Sequence, residues 1–204
     1  MAERVRGVLW DFGHTLVDWD PARLSRKLLA DEHAVESFLG GVCTMRWHLE
    51  HDRGMPMAEN RAALTERFPE HAALIEAWDT RWDEMFDGWV EGMQAIVETL
   101  EAQSIPQFGL TNLPAEKWPH VRANYPALSR FADVIVSGEE GLVKPDAEIY
   151  HRTIARLPFA PSEVLFIDDR ADNIAAARNV GFAGHVFTDA ETTRAALREH
   201  GLPV

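Results

Sequence analysis

The sequence contains a single cysteine, Cys43, so it can build neither an internal disulfide framework nor a cysteine-based zinc cluster, which fits a reducing cytosol. It also lacks an apolar run of about 20 residues, and no basic segment followed by an apolar stretch opens the chain. A soluble, cytoplasmic protein without a membrane span is therefore expected. Basic residues are scarce, with 20 Lys and Arg against 33 Asp and Glu and a formal charge of −13. Nucleic acid and anionic membrane both require a basic footprint, and neither is expected as a partner. An anionic ligand has to be attracted locally, by a metal ion or a placed lysine, against the overall field. Repeats and low-complexity segments are absent.

What is present is enough apolar material for one full core and a small accessory domain: 204 residues, 46% of them hydrophobic. An apolar run at 5–10 reads as a buried strand that ends abruptly in Asp11, and Gly13 then permits a sharp turn. Residues 17–88 carry helical periodicity and no apparent strand. A helix over 22–39 opens at Pro21 and stops at Gly40-Gly41. A segment at 43–50 and helices at 57–68 and 70–86 follow. Leu74, Trp78, Trp82 and Met85 share one face of the last and read as core.

After Gly88 the pattern alternates between helix and strand, the signature of a parallel, doubly wound sheet. Strands are expected at 107–110, 132–136, 163–167 and 184–188. Helices are expected at 89–103, at 115–123 with a break at Pro119, at 146–157 capped by Asp146, at 171–180 and at 190–200. The predicted fold class is α/β, a Rossmann-like core of residues 1–16 and 89–204 interrupted by an all-helical domain at 17–88.

Polar residues stand at successive strand ends: Asp11, Thr111-Asn112, the loop containing Lys144, and Asp168-Asp169. In a parallel sheet with short loops these tips converge on one crevice. Taken singly, the Asp pair reads as a helix cap and Lys144-Pro145 as a solvated turn. Their joint order points to a site.

That order resembles the haloacid dehalogenase superfamily over nearly the whole chain. The matching segments are Asp11-Phe12-Gly13-His14-Thr15-Leu16, Leu110-Thr111-Asn112, Gly141-Leu142-Val143-Lys144-Pro145 and Ile167-Asp168-Asp169-Arg170-Ala171-Asp172-Asn173, with the helical insertion matching that family's commonest cap. Asp-x-Gly-x followed by Val-Asp-x-Asp resembles a bacterial branch acting on sugar phosphates such as glucose 1-phosphate. The resemblance implies that Asp11 is a nucleophile that forms and then loses an aspartyl-phosphate. It implies Mg²⁺ held by Asp11, Asp169 and the Gly13 carbonyl, a hard cation on oxygen ligands. By the same resemblance Thr111 and Lys144 would bind the transferring phosphoryl oxygens, Asn112 would shape the same pocket, and Asp168 and Asn173 would orient Asp169 and Lys144.

The sequence departs from the family at Gly13, where most of its phosphatases place an Asp as general acid and base. Losing such a group costs about 10²–10⁴-fold, least for a good leaving group, so an activated phosphate ester is the expected substrate. Two readings of His14 stand beside each other: a replacement base that titrates near neutrality, or a turn residue pointing into the helical domain or to solvent. His48 and His51, flanking Glu50, have metal-like spacing but read as polar surface. Arg46-Trp47-His48 offers a sugar-stacking element centred on Trp47, against which stands the need to bury seven Trp. A metal-free 2-haloacid dehalogenase and a phosphate-binding module that has lost catalysis are the alternatives to a phosphatase of a small phosphorylated metabolite. The acidic pair at 168–169 favours the phosphatase. Oligomeric state is not legible.

Overall fold

The computed structural model describes residues 4–204. Strand β1 (Gly7–Trp10) is followed by a two-stranded antiparallel ribbon, β2 (Val17–Trp19) with β3 (Phe86–Trp89). The remaining strands are β4 (Gln107–Thr111), β5 (Asp133–Val136), β6 (Val164–Asp168) and β7 (Ala183–Val186). They join β1 in a five-stranded sheet of order β5-β4-β1-β6-β7 in which every pairing is parallel. The chain thus leaves the central strand towards one edge and returns to fill the other, which places the switch in winding direction beside the end of β1. The sheet and its parallel sense are those expected from the alternation after residue 88.

β1 is buried on both faces, as a central parallel strand must be. Val8 and Trp10 point into an apolar cluster that runs on through Phe12, Leu16 and Val17 to Trp78 and Trp82, while Leu9 joins Phe108, Leu110, Ile135 and Phe166 on the opposite side. The polar end of Trp10 is satisfied internally: its Nε1 donates to Gln107 Oε1 at 3.0 Å, and Gln107 Nε2 donates to the Val97 carbonyl at 2.9 Å. Gly109, which pairs with Trp10, is required by close approach, since a Cβ there would lie 2.6 Å from the Phe12 ring.

Between β2 and β3 lie five helices: α1 (Pro21–Leu28), α2 (Glu32–Gly41), α3 (Met45–Asp52), α4 (Met57–Arg67) and α5 (Ala72–Thr80). After β3 come α6 (Met93–Ala102), α7 (Trp118–Asn124), α8 (Ser137–Glu140), α9 (Ala147–Arg156), α10 (Ala171–Asn179) and α11 (Ala190–Glu199). No helix among the described residues is long and apolar enough to cross a membrane.

Several local expectations are corrected. The ribbon places strands at 17–19 and 86–89, where helical periodicity had hidden two short segments. The helix expected over 22–39 is two helices. Leu29 turns extended, and Asp31 then caps α2 by accepting from the Ala34 N–H at 2.8 Å. The segment 70–86 is likewise divided, with 3₁₀ turns at Pro69–His71 and Trp82–Met85 flanking α5. The segment 115–123 is divided beside Pro119 as expected: a 3₁₀ turn at Ala115–Lys117 gives way to α7 at Trp118, whose first turn needs no proline N–H. Asp146 sits at the start of α9 without capping it. Its carboxylate instead faces Arg53 Nη2 at 3.4 Å.

Candidate active site

The hub of the site is the Lys144 ammonium. Nζ donates to Asp11 Oδ1 at 2.6 Å, to Asp168 Oδ2 at 2.7 Å and to the Leu110 carbonyl at 2.9 Å, which uses all three of its protons. Asn112 fixes the lysine from behind: it accepts from the Lys144 backbone N–H at 2.9 Å and donates back to the Lys144 carbonyl at 3.1 Å. Asp168, the last residue of β6, is fully engaged. Besides Lys144 it accepts from the Arg170 N–H at 2.9 Å and from Asn173 Nδ2 at 2.9 and 3.0 Å. Thr111 ends β4 and is buried at the same cavity, and Asp169 is half-buried beside it.

Burial pushes the Asp11 carboxyl up from its ordinary value, and the Asp168 and Asp169 carboxylates push the same way against the pull of Lys144. Burial acts against the charge of Lys144 too, but Asp11 and Asp168 outweigh it and raise its pKa. Asp169 is raised by burial first and by Asp168 second. The site is therefore an acidic pocket around one lysine whose charge Asp11 and Asp168 favour.

The turn after Asp11 is built differently from expectation. Leu16 and Val17 both donate to the Phe12 carbonyl at 2.9 Å. The left-handed residue is His14, at φ 60°, and not Gly13. Gly13 has ordinary φ, and a Cβ on it would meet nothing within 4 Å. His14 is exposed at the cavity rim, its ring 6.1 Å from that of Trp19. Thr15 Oγ1 donates to Asp11 Oδ2 at 3.4 Å, a contact that only its place four residues after Asp11 hinted at.

Oxygens of Asp11, Asp168 and Asp169 lie within 4.8 Å of one another. An oxygen-only donor set of this size suits a hard divalent cation that keeps several waters. Because the Asp168 oxygens are committed to nitrogen donors, Asp11 and Asp169 are the carboxylates free to bind one.

Above these groups is a cavity of about 700 Å³. Its sheet side carries Asp11, Thr111, Asn112, Lys144 and Asp169, and its helical side carries Trp19, Met45, His48, Asp52 and Trp82. Trp47 does not line it. That indole packs edge-on against His51 and Trp78 and donates to the Asn60 carbonyl at 3.4 Å, so the stacking role expected of Trp47 is withdrawn. His48 and His51 are not surface residues either, being 3% and 0% exposed. Burial lowers their pKa values to about 3 and about 4. The short α3 exposes Met45, Arg46 and Glu50, and its histidines face the tryptophan packing instead. Asp52 is also buried at the cavity, and nothing in its sequence neighbourhood marks it.

A carboxylate-rich crevice at the carboxyl edge of a doubly wound sheet, roofed by helices, defines an α/β enzyme whose chemistry resides at strand ends. The chain belongs to the haloacid dehalogenase-like hydrolases, whose family model matches residues 5–181. It is 30% identical over 107 residues to the sesquiterpene phosphatase astK of Aspergillus oryzae, covering 52% of this chain and 55% of that protein. Over 117 residues it is 30% identical to flavin mononucleotide hydrolase 1 of Arabidopsis thaliana, covering 57% and 47%. The chain thus spans about half the length of the curated relatives it matches. In fold it is similar to a HAD family enzyme, bt-2542 of Bacteroides thetaiotaomicron, in complex with magnesium and inorganic phosphate, with a TM-score of 0.74, 19% identity and coverage of 91% and 95%. It is also similar to the L-2-haloacid dehalogenase of Xanthobacter autotrophicus, with a TM-score of 0.65, 16% identity and coverage of 98% and 85%.

Proposed function

We propose that this hydrolase is an Mg²⁺-dependent phosphatase of a small organic phosphate monoester and works through an aspartyl-phosphate on Asp11. The observation that carries the reading is the grouping of Asp11, Lys144 and Asp169, with Asp168 withdrawn into hydrogen bonds behind them. A dehalogenase attacking carbon has no use for the second free carboxylate, and a binding module has no use for a buried nucleophile.

In this reading, residues 17–88 form a cap over a catalytic core of 1–16 and 89–204. Asp11 Oδ2, which among the described residues accepts only the 3.4 Å contact from Thr15, is the oxygen free to attack phosphorus. Oδ1 stays anchored to Lys144, which fixes the direction of attack and adds positive charge beside the phosphoryl oxygens. The Thr111 hydroxyl donates to one of those oxygens. Asn112 holds the Lys144 backbone, and Asn173 holds Asp168. When bound by Asp11, Asp169 and the Gly13 carbonyl, Mg²⁺ supplies the charge neutralisation that lets a carboxylate approach a phosphate dianion.

The remainder of the substrate meets Trp19, Met45, Leu49, Trp82 and Phe86, a wall with few hydroxyl partners, which favours an apolar or aromatic body. Two curated relatives named as a sesquiterpene phosphatase and a flavin mononucleotide hydrolase support such a body. A sugar phosphate of the glucose 1-phosphate kind is the second reading, favoured by Arg46 and Asp20 at the cavity wall. The test is phosphate release from prenyl, flavin and sugar phosphates with and without Mg²⁺, with Asp11→Asn as control. Mg²⁺-dependent release that the variant abolishes, fastest on the apolar esters, is expected. No release from any ester refutes the proposal.

A further inference from the structure

Cleaving a phosphate ester needs a proton for the departing oxygen and then a base for the incoming water. Asp11 is committed as nucleophile and Asp169 as a metal ligand, while Lys144 spends its protons on Asp11, Asp168 and Leu110. Asp20 is occupied as the cap of α1. His48 is neutral at physiological pH, and His14 stands exposed at the rim. One group at the cavity is left over. Asp52 is 5% exposed, its Oδ1 has no hydrogen-bond partner among the described residues, and His48 Nε2 stands 3.5 Å from it, out of hydrogen-bond geometry.

We propose that Asp52, reaching the cavity from the last turn of α3, is the general acid and base of the reaction, a role that Gly13 on the sheet side has no side chain to fill. The inference rests on the phosphatase reading. Asp11 attacks from the sheet side, so in-line displacement carries the leaving oxygen towards the helical side, where Asp52 stands. Although it belongs to the helical layer, Asp52 is held in register with the sheet. Arg53 Nη2 reaches Asp146 at 3.4 Å, and Gly54 packs so closely on α8 that a Cβ would lie 2.9 Å from the Gly138 carbonyl.

The environment keeps the group protonated before the reaction. Burial raises its pKa to about 8, and its place at a helix C-terminus opposes negative charge as well. The titratable groups facing it are His48 on its own helix and Lys144 and Asp11 across the cavity, of which Lys144 alone pulls the value down.

In the first step an Asp11 oxygen bonds to phosphorus while the bond from phosphorus to the leaving oxygen breaks, and the Asp52 carboxyl gives its proton to that oxygen. The product alcohol departs and leaves Asp52 as a carboxylate. In the second step this carboxylate takes a proton from water as the water oxygen attacks phosphorus. The bond from phosphorus to Asp11 breaks, inorganic phosphate leaves, and both aspartates return to their starting states.

The experiment compares a primary alkyl phosphate with p-nitrophenyl phosphate in the wild type, Asp52→Asn and Gly13→Asp/Asp52→Asn. The single variant should lose about 10²–10⁴-fold on the alkyl ester. On the aryl ester, whose leaving group needs no proton, it should give a burst of one nitrophenolate per enzyme followed by slow turnover. Because position 13 has room for a side chain, the double variant should regain turnover on the alkyl ester. A single variant that keeps wild-type rates on the alkyl ester overturns the inference. So does an equal loss on both esters with no burst and no recovery in the double variant, which marks a structural role. A wild type inactive on both esters removes the phosphatase reading itself.

Discussion

Lys144→Met tests the electrostatic design of the site most directly. The lysine is 4% exposed and stands between Asp11 and Asp168, which are 6% and 0% exposed. Methionine fills similar volume but removes the cation and three donors. Two carboxylates are then buried side by side without a counter-charge, which costs about 3–5 kcal/mol. With a urea dependence of about 2–3 kcal/mol per molar for a chain of this size, the unfolding midpoint should fall by roughly 1–2 M. Burial already raises the folded Asp11 carboxyl, and without the opposing pull of Lys144 it holds its proton to higher pH than the unfolded chain does. The deficit is therefore small at or below the ordinary carboxylate range and grows as pH rises towards the raised value of Asp11. Urea unfolding in EDTA, followed by tryptophan fluorescence at pH 5 and pH 7.5, measures both effects. A deficit under about 1 kcal/mol at pH 7.5, or one equal at the two pH values, refutes the reasoning. Adding Asp168→Asn should return part of the lost stability, since it removes one of the stranded charges.

Asp169→Asn should raise the Mg²⁺ concentration for half-maximal activity by at least about tenfold, measured by metal titration, because it removes a carboxylate of the Asp11, Asp168 and Asp169 group that is not committed to nitrogen donors. The rate on an alkyl phosphate should fall as pH rises through about 8, where Asp52 loses the proton it must donate, and this limb should vanish in Asp52→Asn. Trp47→Phe should leave KM within about twofold while lowering stability by about 1 kcal/mol through loss of the bond to Asn60, as kinetics and thermal melts will show. Gly109→Ala should destabilise by about 1–3 kcal/mol in urea melts, because the new methyl meets the Phe12 ring.

The sequence by itself determined the parallel α/β core and the approximate places of its strands, because fully buried strands such as Gly7–Trp10 and Val164–Asp168 must be continuous apolar runs. It also marked Asp11, Thr111, Lys144, Asp168 and Asp169, whose type is dictated by chemistry and whose position is dictated by strand ends. Local periodicity could not show the β2–β3 ribbon, where segments far apart in the chain pair across three or four residues each. Nor could it show which side of α3 faces inward. Trp47 and His48 are adjacent in sequence, and only the packing of α3 against Trp78 and Trp82 decides that His48 meets the cavity and Trp47 does not. Asp52 is the sharpest case. Nothing distinguishes a carboxylate in a polar stretch until the tertiary fold buries it at the cavity with its Oδ1 unpartnered among the described residues, and its chemistry is a property of that environment rather than of its residue type.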